Sequence, residues 1–350
     1  PFSRDQRRWV YASAKKENNY FSFGSDDDQE RSSNYVIIKH AAFPLNPLKS
    51  SDSNAGQYSI PGTKIIGQAR QRKMRFRPKS IINVSGMSFG SLSSNAVIAM
   101  NAGAKMANCL QSTGEGGISL YHNQGGELVW QIGSGYFGCR DEKGQFSLAR
   151  FKETIERFNV VAVEIKLSQG AKPGAGGLLP GKKVTKEIAE ARGIPVGQDC
   201  ISPARHSAFS CEDSLLDFVE SLAAESGLPV GIKSAVSHKQ FFVTLARLME
   251  ADKKRAVDFI TIDGGEGGTG SAPLVFTDHM AFPFKIAFST VFKIFSEMEL
   301  ADDVTFIGSG KLGYPEEAFV ALALGADLIN VGRSAMLSIG CIQAQKCHTN

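Results

Sequence analysis

The sequence has no long hydrophobic run, few cysteines and little net charge. No stretch approaches the ~20 apolar residues that a membrane-spanning helix needs, and no signal segment precedes the first predicted strand. Six scattered cysteines in 350 residues are too few for a secreted disulfide scaffold and favour a reducing compartment. We therefore expect a cytoplasmic protein, although the chain starts at Pro1 and a preceding membrane-tethering segment is compatible with its sequence.

The formal charge of +4 favours neither nucleic acid nor a membrane surface as a partner. The one dense cationic run, KIIGQARQRKMRFRPK (64–79), lacks the interleaved aromatic residues that stack against single-stranded bases. We interpret this run as a solvated approach to the first strand and expect no nucleic-acid partner. Residues 1–79 have the composition of an irregular extension, which we predict to wrap the domain formed by residues 80–350.

Glycine, in contrast, is abundant, and from Ser80 onward it follows short apolar or β-branched runs. Continuous apolar runs are typical of parallel strands buried on both faces. Helical patterns follow most of them, such as SLLDFVESLAAESG (214–227), which has Gly227 as a stop signal. Eight such units predict an α/β fold, a (β/α)8 TIM barrel with its active site on the loops after the strands. The runs are IINVSG, CLQSTGEGG, LVWQIGSG, VVAVEIKLSQG, PVGIKS, DFITIDGGEGG, VTFIGSG and LINVGR.

The connection between about residues 170 and 213 is far longer than most loops of such a barrel. Long loops on barrels are usually functional, so we predict an excursion over the barrel mouth.

The last two runs carry the pattern of a phosphate site. Gly308, Ser309 and Gly310 follow the seventh strand, and Gly332 and Arg333 follow the eighth. This is where TIM barrels commonly bind phosphate through backbone N–H groups, and an arginine adds a bidentate donor. The sequence therefore predicts a phosphate-bearing ligand.

The loop DGGEGGTG after the sixth strand places Gly265, Gly267 and Gly270 in a G-x-G-x-x-G spacing. A dinucleotide fingerprint would need a helix to open here, but Pro273 and Pro283 interrupt the segment that follows. We predict instead a loop whose backbone lies flat against a planar ring.

Glu115 follows the second strand, and Lys166, Gln169 and Lys172 lie at and beyond the fourth. A carboxylate beside cationic and amide donors at one barrel mouth suits proton transfer on an anionic substrate. Histidines show no metal-ligand spacing, and we expect each to be structural or exposed; they include His40, His122, His206, His238 and His279.

Several long motifs closely resemble the FMN-binding synthase domain of the glutamate synthase large subunit, and the chain resembles the stand-alone FMN-binding glutamate synthase family proteins. The resemblance covers roughly residues 80–350. It rests on KLSQGAKPGAGGLLPG, QDCISPARHSAFSCEDSL, IDGGEGGTGSAPL and LGADLINVGRSAMLSIGCIQAQKCH.

The resemblance implies a barrel that holds FMN and converts 2-oxoglutarate and ammonia, through 2-iminoglutarate, to L-glutamate. It implies that Met87 and Ser88 lie beside the flavin, with Gln131 and Lys233 near the ring. A cation such as Lys233 near the N1–C2 side of a flavin favours the anionic reduced form.

The same resemblance implies a 2-oxoglutarate site formed by Gln169, Lys172 and Arg192, with Glu115 as an acid/base partner. A planar guanidinium such as that of Arg192 can bind a carboxylate through two hydrogen bonds.

The resemblance also implies a [3Fe-4S] cluster held by three cysteines spaced C-x5-C-x4-C. Cys341 and Cys347 match the first two, and the third would fall beyond Asn350. Since a cluster needs all its thiolates, we expect it to be absent or labile in a chain that ends at Asn350.

The resemblance leaves the nitrogen source and the electron donor open. No glutaminase-type N-terminal cysteine is present, so we expect free ammonia or a separate glutaminase subunit, and related proteins use methylamine to make N-methylglutamate. For the electron donor we expect a protein such as a ferredoxin or a pyridine-nucleotide-dependent subunit. The alternatives are another FMN barrel oxidoreductase and a non-catalytic electron-transfer module. Such an oxidoreductase would need a catalytic arginine or an activated cysteine, and neither Arg333 nor Cys200 suits that role.

Overall fold

The computed structural model describes residues 2–17, 36–37, 39, 42–43, 60–270, 272–344 and 347. Eight parallel strands close into a barrel, in the order β1, β10, β9, β8, β7, β4, β3, β2. All eight predicted runs form barrel strands, which confirms the (β/α)8 fold. The barrel strands are β1 Ile82–Val84, β2 Gln111–Ser112, β3 Leu128–Ile132, β4 Val160–Lys166, β7 Val230–Ala235, β8 Phe259–Asp263, β9 Thr305–Ser309 and β10 Leu328–Val331.

Ten α-helices are present in the described parts of the chain, most of them on the outside of the barrel. The predicted helix at 214–227 forms over Glu212–Ser226, and Gly227 ends it in the left-handed conformation with φ of 73°. The helices are α1 Arg4–Ala14, α2 Ser94–Met106, α3 Leu148–Arg157, α4 Lys186–Arg192, α5 Glu212–Ser226, α6 Gln240–Ala251, α7 Leu274–His279, α8 Phe284–Glu297, α9 Pro315–Ala323 and α10 Arg333–Ser338. None of these helices is long and apolar enough to cross a lipid bilayer.

Residues 60–79 close the amino-terminal end of the barrel. Ile66 and Phe76 form a bridge, and Ile66 packs with Phe259 and Leu328 inside the strands. The cationic run is not simply solvated, which corrects our interpretation. Arg72 lies 2.6 Å from Glu220 and 2.9 Å from the buried Asp258, because the segment crosses the strand ends where these carboxylates lie.

Of the predicted extension before residue 60, the structure describes mainly residues 2–17, which contain α1. This helix packs on α10. Ser3 caps α1 by accepting from Gln6 N. Most of the extension between residues 18 and 59 lies outside the described residues, as does His40.

The segment between β4 and α5 lies over the carboxyl-terminal end of the barrel, as predicted. It contains a two-stranded hairpin, β5 Leu178–Leu179 with β6 Cys200–Ile201, and the helix α4. Leu179 and Ile188 of this segment pack with Phe89 and Phe137, which follow β1 and β3. The excursion therefore forms the roof of the barrel mouth.

Candidate functional site

Two adjoining cavities open at the carboxyl-terminal end of the strands. The larger, of about 170 Å³, lies under the excursion, and the smaller, of about 100 Å³, lies over β7 to β10. They form one continuous depression, since they share the lining residues Gly86, Met87, Gln131, Lys166, Gln169, Gly268 and Met336.

Most of the predicted site residues line these cavities. Those on the larger cavity are Met87, Ser88, Glu115, Gln131, Gln169, Lys172, Arg192 and Cys347. Those on the smaller one are Met87, Gln131, Gln169, Lys233, Gly267, Ser309, Gly310, Gly332 and Arg333. Residues from strands at opposite ends of the domain sequence, such as β1 and β10, thus come together, because all strands end at the same rim.

Gly265 and Gly308 line neither cavity. A Cβ at Gly308 would lie 3.0 Å from both Leu312 and Phe284 in the core, and one at Gly265 would lie 2.9 Å from the Ala281 carbonyl oxygen. Successive strand residues face opposite sides, so Ser309 faces the cavity where Gly308 faces the core. Both glycines allow close packing behind the wall.

Lys166, at the end of β4, is held between two acceptors in the larger cavity. Its Nζ donates to Glu115 Oε1 at 2.8 Å and to Gln169 Oε1 at 2.5 Å. Burial opposes ionisation of Glu115, but Lys166, with help from Lys172 and Arg192, outweighs it and lowers the pKa of Glu115 below its usual value. Glu115 is therefore an anion at neutral pH that holds a proton donor, Lys166, at the cavity wall.

Lys172 is a buried cation of the same cavity. Its Nζ donates to the Gly176 carbonyl at 3.3 Å. Burial, and then repulsion by Lys166, lower the pKa of Lys172, while Glu115 partly offsets both effects. A second buried positive charge so close to the first favours binding of an anion.

Arg192 ends α4 and is only 5% exposed. Its Nη2 donates to the Phe89 carbonyl at 2.9 Å and its Nη1 lies 3.2 Å from Cys200 Sγ, while the guanidinium lies 5.1 Å from the ring centre of Phe137. Its Nε has no hydrogen-bond partner among the described residues. A buried N–H without a partner costs free energy unless a ligand accepts from it.

Beneath the cavities, a buried carboxylate orients the amide of Gln131. Glu164 accepts from Gln131 Nε2 and from Thr261 Oγ1, each at 2.6 Å. The hydroxyl of Ser112, also buried, has no partner in the described parts of the chain. A Cβ at Gly86 would lie 2.9 Å from both Ser112 Oγ and Gln131 Nε2, so glycine leaves this polar surface open.

The smaller cavity is strongly positive, and we call it the basic cleft. Its charged lining residues are Lys166, Lys233, Lys311, Arg333 and one carboxylate, Asp263. Lys233 Nζ lies 3.7 Å from Asp263 Oδ1, and Asp263 Oδ2 accepts from Gly170 N at 2.8 Å. The cleft has three more positive than negative side chains, so it suits an anionic group.

Arg333 lies at the outer wall of the basic cleft, where it donates to the Glu266 carbonyl. Burial lowers the pKa of Arg333, and Asp263 and Glu266 oppose this effect. Gly310, with φ of 120°, has a backbone conformation that favours glycine and turns the chain at the cleft floor.

Two of the histidines named above are buried in structural positions. His206 lies with Nε2 2.9 Å from the Lys166 carbonyl and Nδ1 3.3 Å from Tyr136 OH, and His122 Nδ1 accepts from Ser119 N. His238 and His279 are exposed.

The C-terminal cysteines are partly exposed and free. The carbonyl of Cys347 accepts from Lys183 Nζ at 2.7 Å, and that of Cys341 accepts from Tyr11 OH at 2.6 Å. The described residues contain no group of three or more His, Cys, Asp or Glu arranged to hold a metal. The cluster therefore stays a prediction.

Sequence reasoning missed Asp263, Glu164 and Ser112. Asp263 follows directly on the β8 run, so its position at a strand end was a usable signal. Glu164 and Ser112 lie inside runs that are otherwise apolar, and only strand pairing reveals that they face the centre of the barrel near Gln131.

Comparisons with known proteins give a family match and several similar chains. The family model for the conserved region in glutamate synthase matches residues 46–350. In solved structures, mandelate oxidase superposes with a TM-score of 0.48 at 18% identity, over 82% of this chain and 72% of that one.

Three curated relatives illustrate the range of similarity. The glutamate synthase large subunit-like protein YerD of Bacillus subtilis is 35% identical, over 100% of this chain and 72% of its own length. The archaeal glutamate synthase [NADPH] of Methanocaldococcus jannaschii is 37% identical, over 77% of this chain and 50% of its own. The ferredoxin-dependent glutamate synthase of Pyropia yezoensis is 34% identical, over 59% of this chain and 13% of its own. The match thus spans only about half of the archaeal relative. From the family match over residues 46–350 and the barrel that carries it, this chain belongs to the glutamate synthase family of oxidoreductases.

Proposed function

We propose that this chain is the synthase unit of a glutamate synthase-type enzyme, in which FMN occupies the basic cleft and 2-oxoglutarate the larger cavity. The observation that carries the proposal is the continuity of the two cavities: a strongly positive cleft opens directly into a chamber lined by Lys166, Lys172 and Arg192.

The residues of the basic cleft fit FMN. Lys311, Arg333 and the backbone around Gly310 suit a phosphate, since cations and exposed N–H groups bind anions. The Gln131 amide, which lines the cleft beside Gly86, suits the polar edge of a planar ring. When bound, FMN supplies the hydride that reduces the imine carbon.

The larger cavity fits a dicarboxylate. The unpartnered Nε of Arg192 accounts for one carboxylate, and the cationic Nζ of Lys172 for the other. Their burial strengthens both interactions relative to those in water.

Glu115 and Lys166 would handle the proton transfer that imine formation requires. Attack of ammonia on the carbonyl carbon of 2-oxoglutarate is followed by loss of water, which requires a proton on the departing oxygen. Lys166 Nζ is an N–H donor beside the cavity, and the anionic Glu115, 2.8 Å away, accepts from it and holds it in position. Gln169 holds the same Nζ from the other side.

The amine and the donor are further parts of the proposal. We propose ammonia as the amine, supplied free or by a separate glutaminase subunit, with methylamine as the alternative to compare in the same assay. The name of the archaeal relative includes NADPH, and that of the Pyropia relative includes ferredoxin. We propose one of these two sources of electrons for this chain.

A flavin titration tests the proposal. The purified protein is reconstituted with FMN, and its visible spectrum is followed as 2-oxoglutarate is added, with glutarate and pyruvate as controls for the keto group and the second carboxylate. We expect a saturable spectral change with 2-oxoglutarate, and amine-dependent oxidation of the reduced flavin. The proposal would be contradicted if the spectrum of bound FMN did not change with 2-oxoglutarate and if the reduced flavin were not oxidised by 2-oxoglutarate together with an amine.

A further inference from the structure

Phe2, which directly precedes the Ser3 cap of α1, packs against two cations of the basic cleft. This residue is 3% exposed, and its ring centre lies 5.1 Å from the guanidinium carbon of Arg333 and 5.6 Å from Nζ of Lys311. Both cations line the basic cleft, and Phe2 is not one of the residues that line it. More than 300 residues of sequence separate Phe2 from these partners, so the contact is purely tertiary.

The position of Phe2 is determined from three directions. Its ring packs on Tyr314 at 5.4 Å between centres, and Trp9 of α1 stacks on Tyr314 at 5.5 Å. The backbone N of Phe2 donates to Gln343 Oε1 at 3.2 Å. Ser3 and Gln6 cap the helix reciprocally, which fixes the direction in which the chain enters it.

An aromatic ring holds a cation without neutralising it. A carboxylate behind Arg333 would compensate its charge and weaken its attraction for a second anion, whereas a ring face attracts the cation through its quadrupole only. Lys311 and Arg333 have long side chains that lose rotamer freedom when they bind a ligand, and packing against Phe2 restricts that freedom beforehand. Phe2 therefore restrains two positive groups of the basic cleft and leaves their charge available to an anion.

We propose that Phe2 is a positioning residue of the cofactor phosphate site, so that α1 forms part of the flavin-binding unit. This inference rests on the proposed binding of FMN to the basic cleft. It assigns to Phe2 an effect on the phosphate group alone, because the residues of the basic cleft that its ring contacts are these two cations.

Comparison of FMN with riboflavin tests this assignment, since riboflavin lacks the phosphate. The dissociation constants of both flavins are measured by fluorescence quenching for the full chain and for the variant Phe2→Leu. We expect the FMN constant to rise about five- to thirtyfold and the riboflavin constant to stay within about twofold of the original. The variant Phe2→Tyr keeps the ring and is expected to bind FMN like the original chain.

Two further variants control for indirect effects. Tyr11→Phe removes a hydrogen bond from the same helix to Cys341 and contacts neither cation, so we expect both flavin constants to stay unchanged. In an Arg333→Gln background, we expect Phe2→Leu to have a smaller effect on FMN than in the original chain, because one of its two partners is gone.

Equal loss of FMN and riboflavin in Phe2→Leu, or no loss of either, would overturn the inference while leaving the proposed function in place. If the original chain binds neither flavin, the proposed function fails, and the inference fails with it. If Phe2→Leu does not fold, the comparison of Phe2→Tyr with Phe2→Met decides: a lower FMN-to-riboflavin preference only without the ring supports the inference, and an equal preference contradicts it.

Discussion

The two ends of the barrel are built on opposite principles. At the amino-terminal end, Ile66 and Phe76 fill the opening with apolar side chains, and the charges are paired, as between Arg72 and Asp258. At the carboxyl-terminal end, the opening is lined by glycine-rich loops and by an excess of positive charge. The first arrangement stabilises the folded chain, whereas the second sacrifices stability for a surface that only an anionic ligand completes.

The sharpest way to break this comparison is to remove Arg72. The variant Arg72→Ala leaves the fully buried carboxylate of Asp258 without its guanidinium partner, and we expect a loss of about 3–5 kcal/mol in the free energy of unfolding. Chemical denaturation of the apoprotein measures this loss. FMN affinity, measured under conditions in which both the original chain and the variant are folded, should stay unchanged. A selective loss of flavin binding in the variant would show that the two ends of the barrel are not independent.

The same variant has a pH signature. Burial raises the pKa of Asp258 even with Arg72 present, and removal of Arg72 should raise it further. A carboxyl whose folded pKa exceeds its unfolded pKa stabilises the fold fully only below the unfolded value of about 4, and this contribution is lost as the pH rises through the folded pKa. The destabilisation by Arg72→Ala should therefore shrink as the pH falls toward 4.

Substitutions at the other end should change binding rather than folding. We expect Lys172→Gln and Arg192→Gln each to raise the apparent KM for 2-oxoglutarate about ten- to hundredfold, because each removes a charged hydrogen-bond donor from a carboxylate. Unfolding in the absence of ligand should change little for Lys172, whose removal also relieves its repulsion with Lys166. Lys182→Gln, at an exposed position of the same excursion, is the matched control and should leave KM unchanged.

The smallest expected effect is the alkaline dependence of substrate binding. Because burial lowers the pKa of Lys172, its charge is lost as the pH rises through that lowered pKa, at a lower pH than for an exposed lysine. The apparent KM should thus rise between about pH 7 and 10, and Lys172→Arg should flatten the profile, since arginine stays charged. Glu115 contributes no change in this range because its pKa is lowered. A profile that is the same in both proteins would remove Lys172 from the substrate site.

The fold could be predicted from the sequence because each buried strand is a short apolar run with its own glycine-rich loop. Even β2, only two residues long, was recognisable from the glycines after it. The contacts of Arg72 could not be predicted, since its partners lie 148 and 186 positions away and nothing local marks them.

Site residues could be predicted where the residue type alone marks the function. They could not be predicted where the function depends on which side of a strand the residue faces. Gly308 and Ser309 belong to the same glycine-rich pattern, yet they face opposite sides of β9. Phe2 had no signal at all, because a single aromatic residue in an irregular segment acquires meaning only through the cations it meets.

The contact between Gly170 and the loop after β8 has a consequence for how such an enzyme could be altered. Any side chain at position 170 would overlap the carbonyl of Gly264, and Asp263 binds the amide of Gly170 itself. The excursion is thus fixed at its root, whereas Leu178 and Ile201 at its hairpin are exposed and free of such restraint. Variation that seeks new substrates has room at the hairpin, and almost none at the hinge from which the roof departs.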